Sequence, residues 1–225
     1  MNKKNLIALK IVLLTTSFFS CFESYAQDSK LEIIPTGGYT FSSRTNYANA
    51  QSDLADDVSL GIALDVRLHE EALVEFMYSY MPTTANTTIY WGRSVGTEYR
   101  STPMSVEYYH IGGVREISNE KVRPFTSVSI GATRFHPTGS TKTNFASGSQ
   151  NLSDTWTFSA ALGGGAKIMI NQRIGLRLKA GLLMPMYFSG VGIYCGGGCG
   201  GGASFGIYYL QLDMSGGLII GLGDY

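Results

Sequence analysis

Charge is scarce in this chain. Asp, Glu, Lys and Arg make up 15% of its 225 residues, against roughly 25% in an ordinary soluble domain. The 17 basic residues are matched by 17 acidic ones, and with neither a basic excess nor a basic stripe there is no footprint for nucleic acid. Long apolar runs are missing too. Beyond the first 27 residues nothing approaches the eighteen or so apolar residues of a membrane-crossing helix. A helical membrane protein is excluded; a β one is not. Cysteine is limited to three residues, whereas 28 Gly and 14 Tyr stand out.

The chain opens with "MNKKNLIALKIVLLTTSFFSCFESYAQ". Lys3 and Lys4 precede an apolar stretch centred on Ile11 to Phe19, and Ser24 and Ala26 are spaced like a signal-peptidase site, so residues 1–26 are expected to be an export signal and 27–225 the mature domain. Cleavage removes Lys3, Lys4, Lys10 and Glu23 from the 17 basic and 17 acidic residues, leaving 14 and 16, a formal charge of −2. Cys21 keeps a rival open, as the lipid-modified first residue of a lipoprotein, although Phe18 and Phe19 stand where a leucine and a small residue belong. If Cys21 leaves with the signal, Cys195 and Cys199 remain as an even pair in an oxidising compartment.

In "RIGLRLKAGLLMPM", Arg173 to Met186, every even position is apolar while the odd ones include Arg173, Arg177 and Lys179. Spacing of two puts each set on one face of a β-strand. The pattern recurs in Leu60 to Leu68, Ala72 to Tyr80, Trp156 to Ile170 and Tyr208 to Ile220, and less regularly in Leu31 to Phe41 and Arg123 to Phe135. Met104 to Ile117 is the weakest of the eight, because His110 spoils one face and Glu107 with Arg115 the other; its facing stays undecided.

Connections of two kinds take turns. Residues 70–71, 118–121 and 171–172 are of hairpin length, while 42–58, 82–103, 136–153 and 188–205 are long and polar. That rhythm belongs to an up-and-down barrel in an outer membrane, with both termini and the short turns in the periplasm. A sheet in lipid must close, because an open edge would strand unpaired N–H and C=O groups. The fold expected is therefore all-β, an eight-stranded antiparallel transmembrane barrel. Its apolar set would face lipid, and its lumen would hold a paired network of Glu32, Asp65, Arg67, Glu75, Lys167, Arg177, Lys179 and Asp213. Some of these groups could instead sit at a wet rim. An upper aromatic girdle is expected from Tyr39, Phe41, Tyr78, Tyr80, Phe135, Trp156, Phe158, Tyr187, Phe188 and Tyr208, with Phe125 and Tyr225 below. A soluble lipocalin-like barrel would place the apolar set inside and a charge-rich face in water, which the Gly-, Ser- and Thr-rich polar face does not fit.

The closing "SGGLIIGL", Ser215 to Leu222, with a final Tyr225, and the strands "RPFTSVSIGATRF" and "GLRLKAG" resemble those of the small eight-stranded outer-membrane β-barrel family, the OmpX-like and OmpA-anchor-like proteins, over Leu31 to Tyr225. The resemblance implies insertion by the outer-membrane assembly machinery and contact with outer-membrane lipid and lipopolysaccharide, but no single activity.

"CGGGC", Cys195 to Cys199, is pliable enough for a small-ring disulfide; free thiols and half a zinc site are the other readings, and no metal site is expected. The glycine-rich loop lacks the strand, helix and lysine of a phosphate cradle. Some eight-stranded barrels resemble lipid A acyl-modifying enzymes, and His136 with Ser140 would be the first candidate here, yet His136 precedes Pro137 and the sequence places no acid beside it. The expectation is a monomeric, non-enzymatic, cofactor-free outer-membrane barrel with four extracellular loops for surface interaction or adhesion to an extracellular ligand. A narrow porin-like channel and a lipid A acyl-modifying enzyme are the alternatives.

Overall fold

The structure, a computed structural model, describes the backbone of residues 31–47, 50–69, 71–91, 96–117, 121–144, 153–171, 173–195, 199–207 and 209–222, and its side-chain detail excludes Tyr47 and 187–207. The expected export signal, Cys21 and the terminal Tyr225 lie outside these residues. Among them are twelve strands and no helix: β1 (Leu31–Ser42), β2 (Thr45–Tyr47), β3 (Ala50–Leu54), β4 (Asp57–His69), β5 (Ala72–Tyr90), β6 (Thr97–Glu116), β7 (Val122–Pro137), β8 (Lys142–Thr143), β9 (Thr155–Met169), β10 (Ile174–Cys195), β11 (Cys199–Ile207) and β12 (Gln211–Leu222).

Eight of these strands close a ring. Successive antiparallel pairs join β1 to β4, β5, β6, β7, β9, β10 and β12, and β12 returns to β1 with Leu31 opposite Leu222. Every backbone donor of the wall thus has a neighbouring strand to bond.

The alternation sorts the two faces as expected. Leu178 is 56% exposed while its neighbour Arg177 is 2% exposed. Leu60, Ile62 and Leu64 on β4, Val128 and Ile130 on β7, Leu162 on β9 and Leu218 with Ile220 on β12 extend this apolar surface around the wall. A patch that encircles the molecule far exceeds what a soluble monomer leaves in water, and it is the reverse of a lipocalin, whose apolar face points inward.

The long connections differ from the loops expected. β5 and β6 run on to Tyr90 and Thr97 in one unbroken register, from Ala72 opposite Arg115 to Tyr90 opposite Thr97. Gly96, at a φ of 93°, takes the left-handed conformation in the connection. Their upper parts, "TTANTTIY" and "TEYRST", are rich in Thr, Tyr and Ile, residues that suit a pleated surface. They are polar because water meets both faces above the membrane, so polarity alone does not mark a loop. β3 pairs with the upper part of β5, and β8 with that of β6. β10 likewise continues to Cys195 against β11.

Candidate functional site

The inward face is built from odd positions of β4, β5, β7, β9, β10 and β12 and even positions of β1 and β6, and it is filled in layers. In the half nearest the short turns, Lys167 is fully buried, its Nζ 2.6 Å from Glu32, 2.8 Å from Asp65 and 3.1 Å from Glu116. Arg67 bridges Glu116 at 2.9 Å and Glu32 at 3.4 Å, and Arg123 stands 3.7 Å from Glu116. Arg177 pairs with Glu75, lies 3.7 Å from Asp65, and lays its guanidinium 4.7 Å from the Phe125 ring centroid. Lys179 reaches Glu75 at 3.0 Å.

Seven of the eight expected lumen charges therefore meet. The eighth, Asp213, sits higher and takes its partners from hydroxyls, accepting hydrogen bonds from Thr40 and Ser59 at 2.9 Å each. Two members were missed. Glu116 was hidden because the facing of Met104 to Ile117 was undecided, and Arg123 because it opens its strand; with them the layer holds four acids and five bases, and Asp213 above it brings this lumen set to five of each. Phe125 and Phe135 are corrections. Both are odd residues of β7, on the inward side opposite exposed Val128 and Ile130, so Phe125 is buried and Phe135 packs against a lumen cluster rather than joining a girdle.

Above the charges a small chamber is lined by Thr36, Ser59, Ser127, Lys179 and Asp213. An apolar layer follows: Met81, Met104, Val106, Tyr108 and Leu183, joined by Leu54 of β3, the strand paired with the upper part of β5. Ser52 beside it is 2.9 Å from the Tyr209 hydroxyl, and the Tyr108 hydroxyl donates to Gln211. His110 faces inward between Ser129 at 3.1 Å and Ser159 at 2.7 Å. Its cross-strand neighbour is Gly131, where a Cβ would strike the Tyr109 carbonyl oxygen first and the His110 ring next.

A second constellation lies on the outward face at the level of the girdle. Tyr109, Trp156 and Tyr78 form a run of ring contacts at 5.6 and 5.1 Å. Beside them Arg134 donates to Asp154 at 3.0 and 2.5 Å, stands 3.6 Å from Glu107, and faces the Trp156 ring. Asp154 also lies 2.5 Å from His136 Nδ1. Its carboxyl is held below the usual range, first by the Arg134 hydrogen bond and then by His136. The acid that the sequence did not place beside His136 is thus supplied from 18 residues away. Such charges on an outward face are tolerable only near the headgroups, where water reaches them.

On the extended hairpin, buried Glu98 accepts from Trp91 Nε1 at 2.9 Å, Arg100 Nε at 2.6 Å and Thr143 at 3.3 Å. These bonds, Arg100 first and Trp91 next, hold its carboxyl below the ordinary carboxylate range. A lowered folded value means that Glu98 supports the hairpin above ordinary carboxylate pH and loses that support as pH falls through the folded value. Trp91 fluorescence, measured in a Trp156→Phe background, should therefore change in acid, below the ordinary carboxylate range, and the transition should vanish in Glu98→Gln.

The backbone register sets Cys195 opposite Cys199; their thiols, like Tyr187, Phe188 and Tyr208 of the expected girdle, fall outside the described side chains. Among the described residues no cluster of His, Cys, Asp and Glu suits a metal ion.

No family model and no curated protein matches this sequence. Solved structures do. The Neisserial surface protein A superposes with a TM-score of 0.52 at 10% identity, over 86% of this chain and 99% of its own. The fold is that of the outer-membrane β-barrels. The outer-membrane protease OmpT of Escherichia coli also matches, with a TM-score of 0.50 at 9% identity, over 88% of this chain and 98% of that one. An outer-membrane barrel of this kind carries its chemistry on side chains rather than in its backbone plan, so a protease and a surface protein can share it.

Proposed function

We propose that this chain is an integral outer-membrane protein, monomeric and non-enzymatic, that works through its extracellular hairpins in surface recognition, with both termini in the periplasm. The observation that carries the reading is a contrast between two regions. The lumen is filled by salt bridges and an apolar layer, whereas β5 and β6 continue well past the girdle as an ordered, polar, aromatic-bearing platform flanked by β3 and β8.

Placement is tested by cysteine labelling in a Cys-free background. Thr88→Cys should react on intact cells and Glu71→Cys only after permeabilisation; the opposite pattern overturns the topology. Function is tested by replacing residues 84–102 with a short turn. The barrel should keep its heat-modifiable gel mobility and lose at least fivefold in attachment to surfaces, and unchanged attachment rejects the recognition role. In planar bilayers the filled lumen predicts no discrete conductance steps, and steady steps would favour the channel.

One observation favours a second reading, lipid-ester hydrolysis at the outer leaflet. His136 is oriented by Asp154 on the outward wall beside the girdle, as a general base would be. Mass spectrometry of lipid A from cells carrying wild type or His136→Ala decides it, and identical acylation patterns remove it.

A further inference from the structure

Because the β5–β6 register is unbroken, the side that faces lipid lower down continues upward as the outer face of the hairpin. Two rows of side chains cross three strands there. Asn86 lies opposite Ser101, and Ser101 opposite Lys142. Thr88 lies opposite Tyr99, whose other flank is Asn144. These six line an open groove of about 360 Å³, with Thr87, Arg100 and Thr143 completing it. Small-ligand sites fall in the range of roughly 300–1,000 Å³.

We propose that this groove binds an acidic saccharide, and that its source is the lipid-linked sugar layer surrounding the barrel. The inference rests on the outer-membrane placement proposed above.

Each side chain has a part in that chemistry. The Tyr99 ring, in a residue 59% exposed, offers an apolar platform to the C–H face of a pyranose. Asn86, Thr88 and Ser101 supply the mixed donors and acceptors that sugar hydroxyls require. Lys142 is an exposed cation with no ion partner among the described residues, free to meet an acidic substituent. The site is built before any ligand arrives. Asn144 accepts from Tyr99 N at 2.7 Å and donates to Thr97 O at 3.1 Å, and Glu98 ties Trp91, Arg100 and Thr143 into one piece.

Position selects the source. Asn86 and Thr88 follow Tyr80 of the girdle by six and eight residues, which at about 3.3 Å per residue and a tilt near 40° is roughly 15–20 Å above the interface. The groove faces sideways, along the wall, so the sugars nearest to it are those linked to neighbouring lipids rather than those of an approaching cell.

The experiment uses the full mature barrel in nanodiscs with three fluorescent probes: acidic core oligosaccharide released from lipopolysaccharide, the same material dephosphorylated, and a sulfated disaccharide. Saturable binding of the acidic core is expected, weakened about tenfold by Lys142→Ala and by Tyr99→Ala, retained in Tyr99→Phe, and reduced by dephosphorylation and by salt. Heat-modifiable mobility checks that each variant is folded. No saturable binding of any acidic probe, or equal affinity in Lys142→Ala, overturns the site. Binding of the sulfated probe without the core oligosaccharide keeps the chemistry and overturns the assignment to the surrounding layer. If Thr88→Cys labels on intact cells while no probe binds, this inference fails and the placement stands; if it does not label, the placement itself fails.

Discussion

Lys167→Met should cost the folded barrel about 3–5 kcal/mol, the range for removing one partner from a buried ion pair. Met nearly matches the volume of the lysine stem, so packing is preserved and the charge alone is lost. What remains is three carboxylates, Glu32, Asp65 and Glu116, around a fully buried position, with Arg67, Arg123 and Arg177 on the periphery. Desolvated like charges cannot be relieved by water there. Arg115→Ala is the control, because its side chain is 76% exposed and its contact with Glu71 is 3.4 Å; an exposed pair of this sort contributes roughly 0–1 kcal/mol. Urea unfolding in lipid vesicles, followed by the heat-modifiable gel shift, measures both. If Lys167→Met moves the midpoint no further than Arg115→Ala does, the lumen is not a closed electrostatic plug. Lys167→Met combined with Glu116→Gln should recover part of the loss, since one of the three carboxylates that lost the lysine is gone.

Leu178→Arg should be the next most damaging change, at about 2–4 kcal/mol for a cation placed near mid-depth on the lipid face of a barrel. The residue is 56% exposed, so in a water-soluble barrel the same substitution would fall within the roughly ±0.5 kcal/mol of an ordinary surface change. The two solvents therefore predict different results from one variant. Unfolding in vesicles gives the energy, and recovery of folded protein in the outer membrane gives the cellular consequence. A midpoint indistinguishable from wild type would mean that water, not hydrocarbon, touches this wall.

These two variants also mark where sequence reasoning was strong and where it stopped. The facing of Leu178 and Arg177 was legible, because side chains of a strand alternate whatever the strand pairs with. Phe125 and Phe135 show the same rule from the other side: their parity on β7 was already inward, and only the habit of assigning aromatics to strand ends suggested a girdle. Met104 to Ile117 was illegible for a specific reason. It places a histidine and a glutamate inside and a glutamate and an arginine outside, so neither face is purely apolar. The inward pair is neutralised by partners on β4, β7 and β9, the outward one by the headgroup zone and by β7.

The chain by itself determined that eight alternating segments exist, which residues of most of them face out, and that the inner charges are balanced, since those follow from period and composition. The tertiary structure alone decided that Lys167 meets Glu116, that Asp154 reaches His136, and that Asn86, Tyr99 and Lys142 share one groove. Such meetings depend on strand register around a closed cylinder, which is fixed collectively by closure and shear and leaves no periodic trace in any single strand.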